Sequence, residues 1–177
     1  VDGVRRPVAL DPATHLVRRA MLVIDTSGSM GASGMATVRA ATATYLRAAP
    51  ADVLVGVVSF ANTAGVDLAP TRDRAAVQRV VDGLVSRGDT SLYAAVRSAI
   101  DALGPKGDRS IVLLSDGADT TSANRLTARA DVAAALTRAG IRVDVVRFKT
   151  NDPDATAALQ SFARSNGGSV VPAGDTA

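Results

Sequence analysis

Apolar residues along this chain gather in short, nearly continuous blocks separated by longer stretches of helical spacing. Met21–Ile24, Val53–Val58, Ile111–Leu114 and Ile141–Val146 are rich in Val, Leu and Ile and bounded by Ser, Gly, Asp or Pro. Blocks of this length predict strands buried on both faces, as in a parallel sheet. Helical spacing falls between them. Val38, Ala41, Tyr45 and Ala49 mark a helix over about Met35–Ala48 that Pro50 ends, and Arg72–Ser86 carries a second. Leu92, Val96, Ala99, Ile100 and Leu103 form one stripe of a helix over Ser91–Leu103, stopped by Gly104-Pro105. That stripe fits a core face packed on the sheet better than a groove for a partner. Asn124–Ala139 and Asp154–Ser165 complete the helices, with Gly140 suited to the left-handed position past a helix end.

Around the last three blocks the strands are predicted to run Val53–Phe60, Arg109–Ser115 and Ile141–Phe148; Ser169–Val171 reads as a last short strand and Gly65–Ala69 as a short returning antiparallel edge strand. Alternation of strand and helix patterns along the chain, joined by right-handed crossovers, predicts an α/β fold. The expected form is a doubly wound, Rossmann-like, mostly parallel sheet with one antiparallel edge strand and helices on both faces. Residues 1–17, with weak β character at Val4, Val8 and Leu10, read as an N-terminal extension or linker, and residues 18–177 as one domain. The start at Val1, with neither Met nor a signal-like segment, suggests a domain cut from a longer protein.

Composition narrows the chemistry. The 47% hydrophobic content is mostly Ala, Val and Leu, with 3% aromatic residues and no Trp, which suits close helix–sheet contacts. The net charge of +3 rests on scattered Arg interleaved with Asp, an ordinary solvated surface, so nucleic acid is not an expected partner. No segment approaches the roughly 20 apolar residues of a membrane span. There is no Cys and no Glu, and His15 stands alone before the first core strand. Thiol catalysis is excluded, and Ser-His-Asp hydrolysis has no Gly-x-Ser-x-Gly elbow to place its nucleophile.

The richest local signal is Asp25-Thr26-Ser27-Gly28-Ser29, directly after the first strand. Open α/β sheets bind ligands just past the carboxyl ends of their strands. One carboxylate and two hydroxyls at alternating positions, with Gly28 letting the chain curl, can turn three oxygens toward one point. Hard oxygen donors suit Mg²⁺, and also Ca²⁺ or Mn²⁺, rather than zinc. A plain helix-capping turn would use the same residue types.

The wider pattern resembles the von Willebrand factor A domain of bacterial type and its metal-ion-dependent adhesion site: Asp-x-Ser-x-Ser, a distant Thr and a distant Asp. The second element matches at Gly88-Asp89-Thr90-Ser91 and the third at Leu114-Ser115-Asp116-Gly117, over a similarity spanning roughly Arg18 to Val171. The resemblance implies that Ser27, Ser29 and Thr90 supply hydroxyl oxygens to a divalent cation. Asp25 and Asp116 would bind it directly or orient its waters. It further implies a non-enzymatic protein-binding module, for adhesion or scaffolding, in which an open coordination position takes an Asp or Glu carboxylate of a protein partner. Asp89 departs from the family, which often has Gly there, and an extra carboxylate could raise cation affinity or repel an acidic partner. Bacterial members occur in envelope, pilus or secretion-associated proteins, the expected setting, and also inside the cell beside a remodelling ATPase.

Other motifs carry less. A haloacid dehalogenase-type phosphatase wants Asp-x-Asp after the first strand, and Ser27 stands where its acid/base should be. Gly104-Pro-Lys-Gly107 lacks the ending of a P-loop, and Gly28-x-x-Gly31-x-x-Gly34 has the wrong first spacing for a dinucleotide site. Arg87-Gly88-Asp89 spells a cell-attachment tripeptide that chance readily supplies. Asp119 is expected to start a loop or cap a turn rather than join the metal shell.

Overall fold

A computed structural model describes residues 16–148 and 150–173. The chain runs β1 (Arg18–Asp25), a 3₁₀ turn (Gly28–Met30), α1 (Gly31–Ala48), β2 (Leu54–Phe60), β3 (Ala64–Thr71), α2 (Arg74–Asp82), α3 (Leu92–Leu103), β4 (Asp108–Ser115), α4 (Arg125–Ala139), β5 (Arg142–Arg147), α5 (Pro153–Ser165) and β6 (Val170–Pro172). One six-stranded sheet has the order β3-β2-β1-β4-β5-β6. All pairings are parallel except β2–β3, which places β3 antiparallel at one edge. The doubly wound α/β sheet expected from the alternation is the fold observed. The weak β pattern at Val4, Val8 and Leu10 and the lone His15 lie outside the described residues.

Burial on both faces explains why the central strands read as apolar blocks. In β1, Met21 and Val23 point to the layer built by α3, α4 and α5, where Leu92, Val96, Leu136 and Phe162 are buried. Its alternate residues Ala20, Leu22 and Ile24 point the other way, to Met35 and Val38 of α1 and Val77 of α2. The stripe of α3 is therefore a core face. Tyr93 of that helix meets Phe162 of α5 edge to face, with ring centroids 6.0 Å apart.

Several boundaries shift from the sequence expectation. Helix α1 begins at Gly31 rather than Met35 because the 3₁₀ turn after β1 runs straight into it, burying Met30 against Gly34. Helix α2 covers only Arg74–Asp82, against an expected Arg72–Ser86. The Asp73 side chain accepts the Ala76 N–H at 2.9 Å and so fixes its start. Beyond Gly83 the chain leaves helical geometry to reach the end of β1, where the Arg87 N–H donates to Thr26 C=O at 2.7 Å. Strand β3 is longer than Gly65–Ala69, running Ala64–Thr71. Gly140 takes the left-handed conformation, φ 64°, as its position after α4 requires.

At the opposite end of the sheet from β1's terminus, the Arg109 guanidinium donates to Gly104 C=O and to Ala139 C=O. It thus ties the last carbonyls of α3 and α4 together, where a cation complements both helix dipoles. Among the described residues, no helix is long and apolar enough to cross a membrane.

Candidate metal centre

Strand β1 ends at the sheet's topological switch point. Its connection through α1 leads to β2 on one side, while β4, which follows α3 on the opposite layer, lies on the other. Loops leaving β1 and β4 diverge there at the carboxyl edge, the place where open α/β sheets bind their ligands. The Asp25–Ser29 turn, the Asp116 turn and the start of α3 all border it.

Asp25 is fully buried. Its Oδ1 accepts the Ser27 N–H at 2.9 Å, which curls the turn, and its Oδ2 accepts the Ser115 hydroxyl at 2.5 Å. Burial pushes the carboxyl pKa up, the Ser115 and Ser27 hydrogen bonds pull it back, and nearby Asp116 adds to the rise. Among the described residues neither Asp25 nor Asp116 forms an ion pair with Arg or Lys.

From Asp25 the polar chain runs outward. Ser27 Oγ and Ser29 Oγ lie 3.1 Å apart, and Ser29 Oγ donates to Asp116 Oδ1 at 2.9 Å. Four of the expected residues, Asp25, Ser27, Ser29 and Asp116, therefore stand in one connected set, graded from buried Asp25 and Ser27 to exposed Ser29. Thr90 stands on a third loop, against the Asp116–Gly117 turn. Its N–H donates to Thr120 Oγ1 at 2.9 Å and its C=O accepts the Thr120 N–H at 2.8 Å. Its side chain faces the Asp116–Gly117 turn, so that a Cβ built on Gly117 would lie 3.8 Å from Thr90 Oγ1.

Among the described residues, no group of three or more His, Cys, Asp or Glu gathers to hold a metal. What gathers instead is a pair of carboxylates with hydroxyls, a donor set that fits a hard, partly hydrated cation such as Mg²⁺ and not zinc. A buried carboxylate without a cationic side-chain partner is the local observation that such an ion would satisfy.

Other singled-out residues have different work. Asp119 is buried and bridges two backbone donors, Tyr93 N–H at 3.1 Å and Ser122 N–H at 2.7 Å, so it caps the first turn of α3 as well as its own loop. Asp89 is exposed, and the backbone of Arg87-Gly88-Asp89 is pinned. Gly88 C=O accepts the Gly28 N–H at 2.9 Å, and the Asp89 N–H donates to Asn62 Oδ1 at 2.6 Å. Sequence reasoning misses Ser115, Thr120 and Asn62. Only Ser115 leaves a trace there, as a hydroxyl beside Asp116 at a strand end. A cavity of about 880 Å³ lies not over the oxygen cluster but beside it, between the β2–β3 hairpin and the 83–88 loop.

The model of the von Willebrand factor type A domain matches residues 20–118, more than half of the chain, and the chain belongs to that family. Its structure is similar to that of a von Willebrand factor type A protein from Catenulispora acidiphila, with TM-score 0.74 and 20% identity over 88% of this chain. The match spans 38% of that longer chain. It is similar also to the conserved hypothetical protein BatB from Bacteroides thetaiotaomicron, with TM-score 0.72 and 20% identity, covering 88% of this chain and 89% of that one. The von Willebrand factor domain of the type V pili tip protein Mfa5 from Porphyromonas gingivalis matches with TM-score 0.70 and 12% identity over 91% of each chain. At these identities the likeness establishes the fold alone. No curated protein matches the chain.

Proposed function

We propose that this domain is a non-enzymatic protein-binding module that holds a divalent cation, Mg²⁺ foremost, and uses it to engage an Asp or Glu carboxylate of a partner. The observation that carries this reading is the Asp25–Ser27–Ser29–Asp116 oxygen set, connected by the 3.1 Å and 2.9 Å contacts of Ser29, with Thr90 beside it. Ser27, Ser29 and Thr90 would offer hydroxyl oxygens, and the two Asp side chains would bind the ion or its waters. Mg²⁺ dehydrates reluctantly and keeps exchangeable positions, and at such a position a partner's carboxylate can enter. An adhesion or scaffold role in a bacterial envelope or secretion-associated protein is the setting we favour, consistent with a pilus tip protein among the structures of the same fold.

The absence of enzymatic turnover is part of the same proposal. The position two residues after Asp25 carries the Ser27 hydroxyl, which cannot act as the carboxyl acid/base of an Asp-x-Asp phosphatase. Titration calorimetry with Mg²⁺ and Mn²⁺ tests the site. Wild type is expected to bind one ion and Asp25→Ala none. Equal binding by both proteins, or none by wild type, would refute the assignment. Capture of partners by the immobilised domain is expected to be lost in chelator and in Asp25→Ala.

A further inference from the structure

Thr90 is held in place partly by an element that carries none of the other oxygen donors. The hairpin between β2 and β3 reaches over the loop that precedes α3 and grips it on both sides of Thr90. The Ser91 N–H donates to Ala61 C=O at 2.9 Å, and the Asp89 N–H donates to Asn62 Oδ1 at 2.6 Å. Asn62 also fills the space beside Gly88, whose φ is +76°; a Cβ there would fall 2.0 Å from Asn62 Oδ1. Gly88 in turn accepts the Gly28 N–H, so the same short loop is fastened to the middle of the Asp25–Ser29 turn. A side chain at position 88 would thus meet both an unfavourable backbone region and the Asn62 carboxamide.

We infer that Asn62 is a positioning residue of the cation site: its side-chain oxygen fixes the Gly88-Asp89-Thr90 loop so that the Thr90 hydroxyl is presented to the Asp116–Gly117 turn. The inference rests on the proposed cation site. A hydroxyl donor contributes to ion binding only if its loop is already in place, because an ion of strict geometry must otherwise supply the ordering energy from its own binding. Asn62 uses only its carbonyl oxygen in this contact, so the requirement is an acceptor of that reach, not an amide. No charge is needed. The neighbouring backbone bond from Ser91 to Ala61 orients the helix start, and the bond from Gly28 to Gly88 C=O holds the other side of the loop, while the Asp89 N–H is left to Asn62.

The test compares wild type with Asn62→Leu, similar in size but without an acceptor, and with Asn62→Asp, which keeps the oxygen. Mg²⁺ calorimetry and Mn²⁺ electron paramagnetic resonance read affinity. Hydrogen exchange at Asp89 and thermal melts in EDTA read the loop and the fold without metal. Asn62→Leu is expected to weaken ion binding roughly tenfold or more, the usual scale for loss of a supporting contact. The Asp89 amide should exchange faster in that variant, while Asn62→Asp restores both properties. Wild-type affinity in Asn62→Leu, or equal loss in Asn62→Asp, would overturn the inference while leaving the site itself standing. A wild-type protein that binds no ion would instead remove the site, and the hydrogen-exchange comparison would still report whether Asn62 holds the loop.

Discussion

Replacing Ser115 with Ala isolates what supports the buried carboxylate at the centre of the site. The Ser115 hydroxyl donates to Asp25 Oδ2 at 2.5 Å, and both residues are fully buried. Its second contact, accepting the Gly117 N–H at 3.3 Å, is long and contributes little. Loss of a buried hydrogen bond to an ionised group costs about 1.5–3 kcal/mol, which for a domain of this size lowers Tm by roughly 4–8 °C at the middle of that range. The effect depends on pH in a defined direction. Burial already raises the Asp25 pKa, and losing the Ser115 donor raises it further. The cost is thus complete above the folded-state pKa of Asp25 and shrinks as acid protonates the carboxyl. Urea melts of wild type, Ser115→Ala, Asp25→Asn and the double variant form the decisive cycle. In the Asp25→Asn background Ser115→Ala should cost less than about 1 kcal/mol, since the bond is then between neutral groups. Equal costs in the two backgrounds, or a wild-type melt for Ser115→Ala at neutral pH, would refute the reasoning.

Phe162→Ala should lose about 3–5 kcal/mol in urea melts, because the ring is fully buried where α5 meets Tyr93 and the sheet. Gly56→Ala should also destabilise, by about 1–3 kcal/mol, since its Cβ would sit 2.8 Å from the Leu68 carbonyl oxygen as well as against the flexible end of Met21. Chelator is expected to lower Tm by only a few degrees, about 1 kcal/mol, because the apolar layers on both sheet faces need no ion. The difference between melts in Mg²⁺ and in EDTA should widen as pH rises above the ordinary carboxylate range and Asp25 ionises. A raised Asp25 pKa means that its favourable contribution to the ion-free domain is present in acid and lost as the carboxyl ionises, and a bound cation reverses that loss. A pH-independent difference would contradict the role of Asp25, and complete unfolding in EDTA would make the ion structural.

The four inner strands were legible because burial on both faces leaves an apolar block that needs no partner to interpret. Helix ends were less so. Gly31-Ala-Ser-Gly34 carries no apolar stripe and two helix-weakening glycines, and it is helical because the preceding turn delivers it so, with Met30 buried beneath. The early end of α2 came from a tertiary demand: residues 84–90 must cross to β1, where the Ser86 hydroxyl donates to Ser27 C=O at 2.6 Å. Within the site, Asp25, Ser27 and Ser29 could be read from their own alternation, whereas Thr90 and Asp116 were recognisable only through the family's pattern. Asn62 and Thr120 act through contacts 27 and 30 residues away in the chain, which no local pattern encodes.

The bonds from Ser115 to Asp25 and from Ser29 to Asp116 span 90 and 87 residues. During synthesis, therefore, no fragment ending before β4 can hold the assembled oxygen set, however well its first strands have paired. A ligand that needs all three loops distinguishes a finished molecule from a partial one, and stabilises only the former by mass action. Under the proposed function, an ion held by this oxygen set would double as a report on completed folding, since only copies that had already passed their own assembly could engage a partner through it.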